Sequence, residues 1–429
     1  VLGDKKGSQS KLFDNFSLGL VTNRDAWCYN ASKDKLSSNV EQMVKFYNRE
    51  LKRFNASYSN LSTKERTIKV GGFIDTNPTQ ISWSRALKHD VAKNKPLIYD
   101  KESCIQSLYR PFSKQNLYFN RRLNEVVSQM PRIFPTLKHK NLVIMVKQRW
   151  KGNGQLALLM DVMPELQIDG GAQCFPLYLY EKATDDQIDF GDSGNLFANK
   201  PAANTQTEGG YTRKDGISDA GLTHFGAVYP SETISKEDLF YYIYGLLHSP
   251  EYRERYADNL SKELPRIPAV KAVSDFWDYS QAGRDLAELH INYETVTPYK
   301  AKLDSGNKAI KQLTEDDYRV VKMKFAKHKV DGKSVNEKTT VIYNPTITVR
   351  DIPLSAYDYV VNGKPAIEWV MERQAVTTDK KSGITNDANN WAIETMGNAK
   401  YPLELLLRVI TVSLETMKIV NSLPKLDID

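Results

Sequence analysis

Three apolar runs frame this chain: Asn141-Leu142-Val143-Ile144-Met145-Val146, then Leu156-Ala157-Leu158-Leu159-Met160, then Phe175-Pro176-Leu177-Tyr178-Leu179-Tyr180. Between the first two stands Lys147-Gln148-Arg149-Trp150-Lys151-Gly152-Asn153-Gly154. Short apolar runs joined by a Gly- and Asn-containing connection predict a β-hairpin with an extended polar tip. The tip gathers cations, and a sheet that holds out a charged loop suits a probe for a groove.

Working outward, residues 109–154 hold ten Lys and Arg side chains against one acid, Glu125, although the whole chain is only +7. The remainder is therefore near neutral, and the positive charge is local. Tyr109, Phe112, Tyr118, Phe119 and Trp150 interleave with it. Such a patch attracts a polyanion, of which a nucleic-acid backbone is the commonest; the plain alternative is a solvated face.

Elsewhere the pattern is mixed. Leu36, Val40, Met43, Tyr47, Leu51 and Phe54 recur at helical spacing, and Trp83 to Lys93 reads as a short helix, with Gly71-Gly72 opening a new section before it. Residues 181–231 lack periodicity and read as a long surface excursion. Ser235, with Asp238 three residues on, caps a helix through Leu247; Pro250 starts another, Glu251 to Leu264, and Ser274 to Tyr293 is helical again. From Tyr318 to Val349 the signal is strands, with Asp331-Gly332 as a hairpin turn. Two more helices, Lys364 to Arg373 and Pro402 to Leu423, flank a polar loop, Thr377 to Asn390. The fold class is α+β, with no βαβ alternation and no internal repeat.

Chemistry is scarce. No Gly-rich phosphate loop occurs, and Asn344-Pro345-Thr346 lacks the second Pro and the aromatic of an amino-methyltransferase turn. Glu315, Asp316 and Asp317 ahead of Lys322 and Lys324 read as a solvated turn rather than a nuclease site. Cys28, Cys104 and Cys174 are far apart, no His-x-x-x-His pair occurs, and no metal site is expected. His248 and His290 sit on apolar helical faces and read as core histidines. No stretch reaches the roughly 20 apolar residues of a membrane span. The chain starts Val1-Leu2-Gly3 without a signal-peptide pattern, which reads as a piece of a longer polypeptide. The expectation is a chain that binds and does not catalyse.

Several segments together resemble the carboxy-terminal part of the type ISP restriction-modification enzymes. They are Leu20-Val21-Thr22-Asn23-Arg24-Asp25-Ala26-Trp27-Cys28-Tyr29-Asn30; Tyr109-Arg110-Pro111-Phe112 with Leu117-Tyr118-Phe119; Tyr244-Gly245-Leu246-Leu247-His248-Ser249-Pro250-Glu251-Tyr252-Arg253 with Leu264-Pro265-Arg266-Ile267-Pro268; and Val361-Asn362-Gly363-Lys364 through Asn390-Trp391. The family is bacterial and cytoplasmic, and joins a nuclease, a helicase-like motor, an adenine-N6 methyltransferase and a target recognition domain in one chain. The resemblance implies the last of these, with residues 1–60 as the tail of the methyltransferase region, 61–232 as a basic, β-rich recognition subdomain and 233–429 as a helix-rich one carrying the hairpin 318–349. It implies no catalytic residue here. S-adenosylmethionine, ATP and Mg belong to the absent domains, and the methyltransferase and helicase-like domains are partners within the same polypeptide.

On that reading the target is double-stranded DNA. Lys147, Gln148, Arg149, Lys151 and Asn153 supply the donors that pair with guanine and adenine edges in the major groove. Arg110, Lys114, Arg121, Arg122, Lys138, Lys140, Lys380 and Lys381 are expected on phosphates, with one or two of them structural, Arg110 before Pro111 open to pairing with a core carboxylate, and a solvated loop as the plain alternative for Lys380 and Lys381. Trp150 is expected to stack or wedge, with a loop anchor as its bland alternative. Asn23, Arg24 and Trp27 are expected at the methyltransferase seam. A module for single-stranded nucleic acid or an acidic protein, with Tyr118, Phe119 and Trp150 as platforms, stays open.

Overall fold

In the computed structural model, the first two apolar runs pair as the sequence predicts: Val143–Val146 lies antiparallel to Ala157–Met160, Val143 opposite Met160 and Val146 opposite Ala157. Together with Gln173–Pro176 and Ser17–Leu18 they make a four-stranded antiparallel sheet. The third run splits, because Tyr178–Lys182 leaves this sheet for another. The structure describes residues 1–3, 10–152, 154–168, 170–171, 173–183 and 206–428, the backbone alone at 206–208.

The central sheet is a wall between two hydrophobic cores. Val143, Met145, Leu158 and Met160 face one core; Ile144, Val146, Ala157 and Leu159 face the other. Successive strand residues point to opposite faces, so a strand buried on both sides must be apolar throughout. That accounts for the unbroken runs.

The first core is closed by the helix Lys33–Tyr58, whose buried stripe includes Leu36, Val40, Met43, Tyr47, Leu51 and Phe54, and by Tyr401–Asn421. The second is built on the helices Lys236–His248 and Val273–Ile291. Ser235 and Asp238 form the expected capping box at the first of these. The two helices touch at glycines: a Cβ on Gly245 would lie 2.1 Å from the Tyr279 carbonyl oxygen, and one on Gly283 would lie 1.9 Å from that of Tyr241. His248 and His290 are buried beside this crossing. His290 bonds Tyr244 and Thr416 side chains. Burial pushes the His248 imidazole down to about 4.

The α+β class holds, with several small sheets among the helices. Four local expectations change. Gly71 and Gly72 close the helix Thr63–Phe73 instead of opening a new section. The helix expected from Glu251 to Leu264 breaks into Pro250–Arg255 and Ala257–Leu260. The described part of the 181–231 excursion is regular: Tyr211–Asp215 pairs with Tyr178–Lys182, and Asp219–Val228 is a helix capped by Ser218; the rest of that excursion lies outside the described residues. The polar loop 377–390 is a small hairpin, Val376–Thr378 with Thr385–Asp387.

Both cores draw on segments spread along the chain. The first core takes residues from both 20–179 and 293–412, and the second from 2–16, 144–177, 217–287 and 426–428. The chain crosses the central wall repeatedly, so sequence order does not separate the two bodies.

Candidate nucleic-acid interface

The loop after Val146 continues the ladder through Lys147 N–H to the Leu156 carbonyl, then turns with Arg149 in the left-handed region, φ 59°. It is pinned from three sides. The Trp150 indole donates to the Gly154 carbonyl at 3.2 Å, and the ring is 7% exposed among second-core residues. Lys147 Nζ donates to Asn362 Oδ1 at 2.7 Å. Arg253 donates to the Gly154 carbonyl at 3.1 Å and to Gln155 Oε1 at 2.5 Å. Gly154 has φ 84°, and a Cβ there would meet the Val360 carbonyl at 2.4 Å, so backbone approaches backbone at that point. What the loop leaves exposed is Gln148, Arg149 and Lys151. Asn153 lies outside the described residues.

Trp150 is therefore placed as an anchor of its own loop, the alternative that stood beside the wedge. Burial also removes Tyr118 and Trp150 as stacking platforms for single strands, since Tyr118 is fully enclosed. Arg253 was missed in the sequence. Its guanidinium is pushed down to about 10 by burial, and no local pattern marks an arginine whose partners are a loop carbonyl and an amide nearly a hundred residues away.

The expected phosphate set divides. Arg110 pairs with Glu165 at 2.6 Å, lies over the Tyr109 ring and is 13% exposed along its side chain. Lys114 meets Glu294 at 2.8 Å, both side chains 13% exposed. Arg122 pairs with Asp90 at 2.9 Å and donates to the Pro96 and Lys95 carbonyls. These three partly buried cations are thus engaged with partners inside the chain. Arg121, Lys138 and Lys140 are exposed, and Lys138 and Lys140 precede the strand Val143–Val146 that Lys147 follows. The cations of residues 109–154 thus divide between those with carboxylate partners and those facing solvent. Lys380 and Lys381 sit exposed on the tip of the 376–387 hairpin, whose turn Asp379 organises by accepting from Ser382 N–H at 2.8 Å and Ser382 Oγ at 2.7 Å.

The seam residues also change. Arg24 is 4% exposed and donates to the carbonyls of Leu123 and Ser82, and Trp27 is 5% exposed in the first core. Both serve this chain's own interior. Asn23 alone remains exposed, with φ 54°.

Contacts link several partly buried cations from distant segments. Asn362, which holds Lys147, precedes Lys364; Lys364 and Arg373 both pair with Glu372. Arg373 and Glu372 line a polar cavity of about 270 Å³ with Asp25, Tyr109 and Asn386. Glu372 also lines an open cleft of about 770 Å³ with Lys322, Lys324, Lys327 and Asn336. Among the described residues no group of three or more His, Cys, Asp or Glu can hold a metal ion, and no helix is long and apolar enough to cross a membrane.

Comparison places this architecture. The chain aligns over its full length, at 36% identity and a TM-score of 0.78, with a nuclease-deletion mutant of the Type ISP restriction-modification enzyme LlaGI solved with a DNA substrate mimic, and covers 34% of that protein. It covers 24% of the ATP-dependent Type ISP enzyme LlaBIII bound to DNA, at 33% identity and a TM-score of 0.76. A DrdV–DNA complex matches 99% of the chain at 30% identity and a TM-score of 0.74, and 38% of that protein is covered. The chain thus spans between a quarter and two fifths of these relatives. No curated protein sequence matches. The model of the Type ISP C-terminal specificity domain matches residues 11–405, and the chain belongs to that family.

Proposed function

We propose that this chain reads a sequence in double-stranded DNA for a larger restriction-modification polypeptide, presenting one adenine to a methyltransferase domain and licensing the motor and nuclease. In this reading the chain itself is non-catalytic, and S-adenosylmethionine, ATP and Mg act in other domains of the polypeptide. The observation that carries it is the loop 147–151: it is fixed to the body by Trp150, Lys147 and Arg253, and it displays Gln148, Arg149 and Lys151 outward. Arginine and lysine pair with guanine O6 and N7, and glutamine pairs with adenine N6 and N7. A rigid display loses little entropy on binding. The family's relatives were solved on DNA, and that supports the same ligand here.

Arg121, Lys138, Lys140, Lys380 and Lys381 are left as phosphate contacts, acting on any sequence alike. Titration of the chain with duplex and single-stranded oligonucleotides across a salt series tests the reading. Preference for the duplex, with affinity falling steeply as salt rises, is the expected result. Equal or stronger binding of the single strand contradicts it.

A further inference from the structure

The longest hairpin, Lys324–Val330 with Lys333–Ile342, was legible in the sequence as a hairpin and nothing more. Its base is rooted in the first core: Val341 is fully buried, and the Phe325 ring packs on Tyr357. Beyond a register shift between Phe325 and Ala326 the two strands run outward together, turning at Asp331-Gly332 with φ 50° and 76°. That distal part, five residues on its first strand, reaches about 17 Å. Apart from Ala326 and Glu337 at its root, every residue of it is exposed, Val330 at 45% and Val335 at 41%. A shift of this kind bends and twists a ribbon away from its sheet.

Its charge is one-sided in kind. Six lysines and two acids lie between Lys322 and Lys338. Glu337 is paired with His328 at 3.3 Å, and Lys338 with Glu368 at 3.2 Å. Among the described residues no carboxylate lies within ion-pair distance of Lys322, Lys324, Lys327, Lys329 or Lys333. Cross-strand pairing sets Lys333, opposite Val330, on one face of the ribbon beside the turn, and Lys327 with Asn336 and Lys329 with Ser334 on the other. The same face opens on the 770 Å³ cleft, whose acids, Glu368 and Glu372, are already matched by Lys338, Lys364 and Arg373.

We infer that this ribbon is a second DNA arm, which binds the phosphate backbone of the duplex through Lys327, Lys329 and Lys333 and leaves base choice to the loop 147–151. The inference rests on the proposed reading of duplex DNA. Lysine is a point charge suited to phosphate, and a two-stranded ribbon is narrow enough for the major groove, about 12 Å wide, from which its long side chains reach the flanking backbone. Like-charged groups held at full exposure without internal partners cost the fold stability, and a polyanion relieves that repulsion.

The test uses the full chain and its K327A/K329A/K333A variant, titrated with a duplex across a salt series. Each lost phosphate contact reduces the slope of log affinity against log salt by about 0.9, so the variant slope is shallower by about 2.7 with base preference unchanged. A folded variant with the wild-type slope overturns the inference. Amine-reactive labelling of the unsubstituted chain gives an independent readout: duplex shields the three lysines if the arm binds, and undiminished labelling overturns it. Failure of the wild-type chain to bind duplex at low salt defeats the proposed function instead.

Discussion

At the residue scale, the molecule separates cations that hold it together from cations that face outward, and the sequence does not. Arg110 and Arg149 fall in the same basic run, with only Pro111 after Arg110 to suggest a core partner; the one is clamped on Glu165 and the other projects from a loop. The difference lies in partners far along the chain, Glu165 being 55 residues from Arg110. Burial pushes the Glu165 carboxyl up to about 7 against the pull of Arg110. A raised carboxyl favours the fold below its unfolded value and loses that contribution as pH rises through its folded value. Arg110→Ala strands this group, at a cost of about 3–5 kcal/mol when it is ionised. The expected outcome is a thermal midpoint depressed most above pH 7 and recovering below it, with duplex affinity of the folded protein unchanged. A pH series of melting curves checks the first part, and loss of affinity in the folded variant contradicts the second.

At the element scale, periodic signals were the readable ones. The stripe from Leu36 to Phe54, the Ser235 capping box and the Asp331-Gly332 turn each appear where local pattern places them, because each is decided within a few residues. The split of the run 175–180 between two sheets and the regular structure after residue 206 were not readable, since long-range pairing fixes both. The helix crossing at Gly245 and Gly283 is of this second kind. Gly283→Ala drives a methyl into the Tyr241 carbonyl, and the expected loss is about 3 kcal/mol; denaturant unfolding measures it, and a neutral result contradicts the close approach. Trp150→Ala is expected to cost about 3–5 kcal/mol and to blur base preference together, because the ring fixes the loop. Unchanged stability with reduced DNA bending would return Trp150 to a wedge.

At the scale of the whole molecule, the charge cluster 109–154 illustrates why a run in sequence is not a patch in space. Lys140 and Lys147 flank one strand, Val143–Val146, whereas Lys147 is held by Asn362, 215 residues on, and Lys364 and Arg373 share Glu372. Family membership was legible because it rests on ordered segments spread along the chain, whereas the interface depends on how two interleaved cores bring distant loops side by side. Under the proposed function, Gln148, Arg149 and Lys151 choose the DNA sequence. Selection of duplexes from a random library, run in parallel with the wild-type chain and an R149A/K151A variant, tests it most directly. One enriched sequence is expected for the wild type, and for the variant the same sequence relaxed at one or two positions by about 1–3 kcal/mol each. An identical sequence selected by both proteins would contradict it.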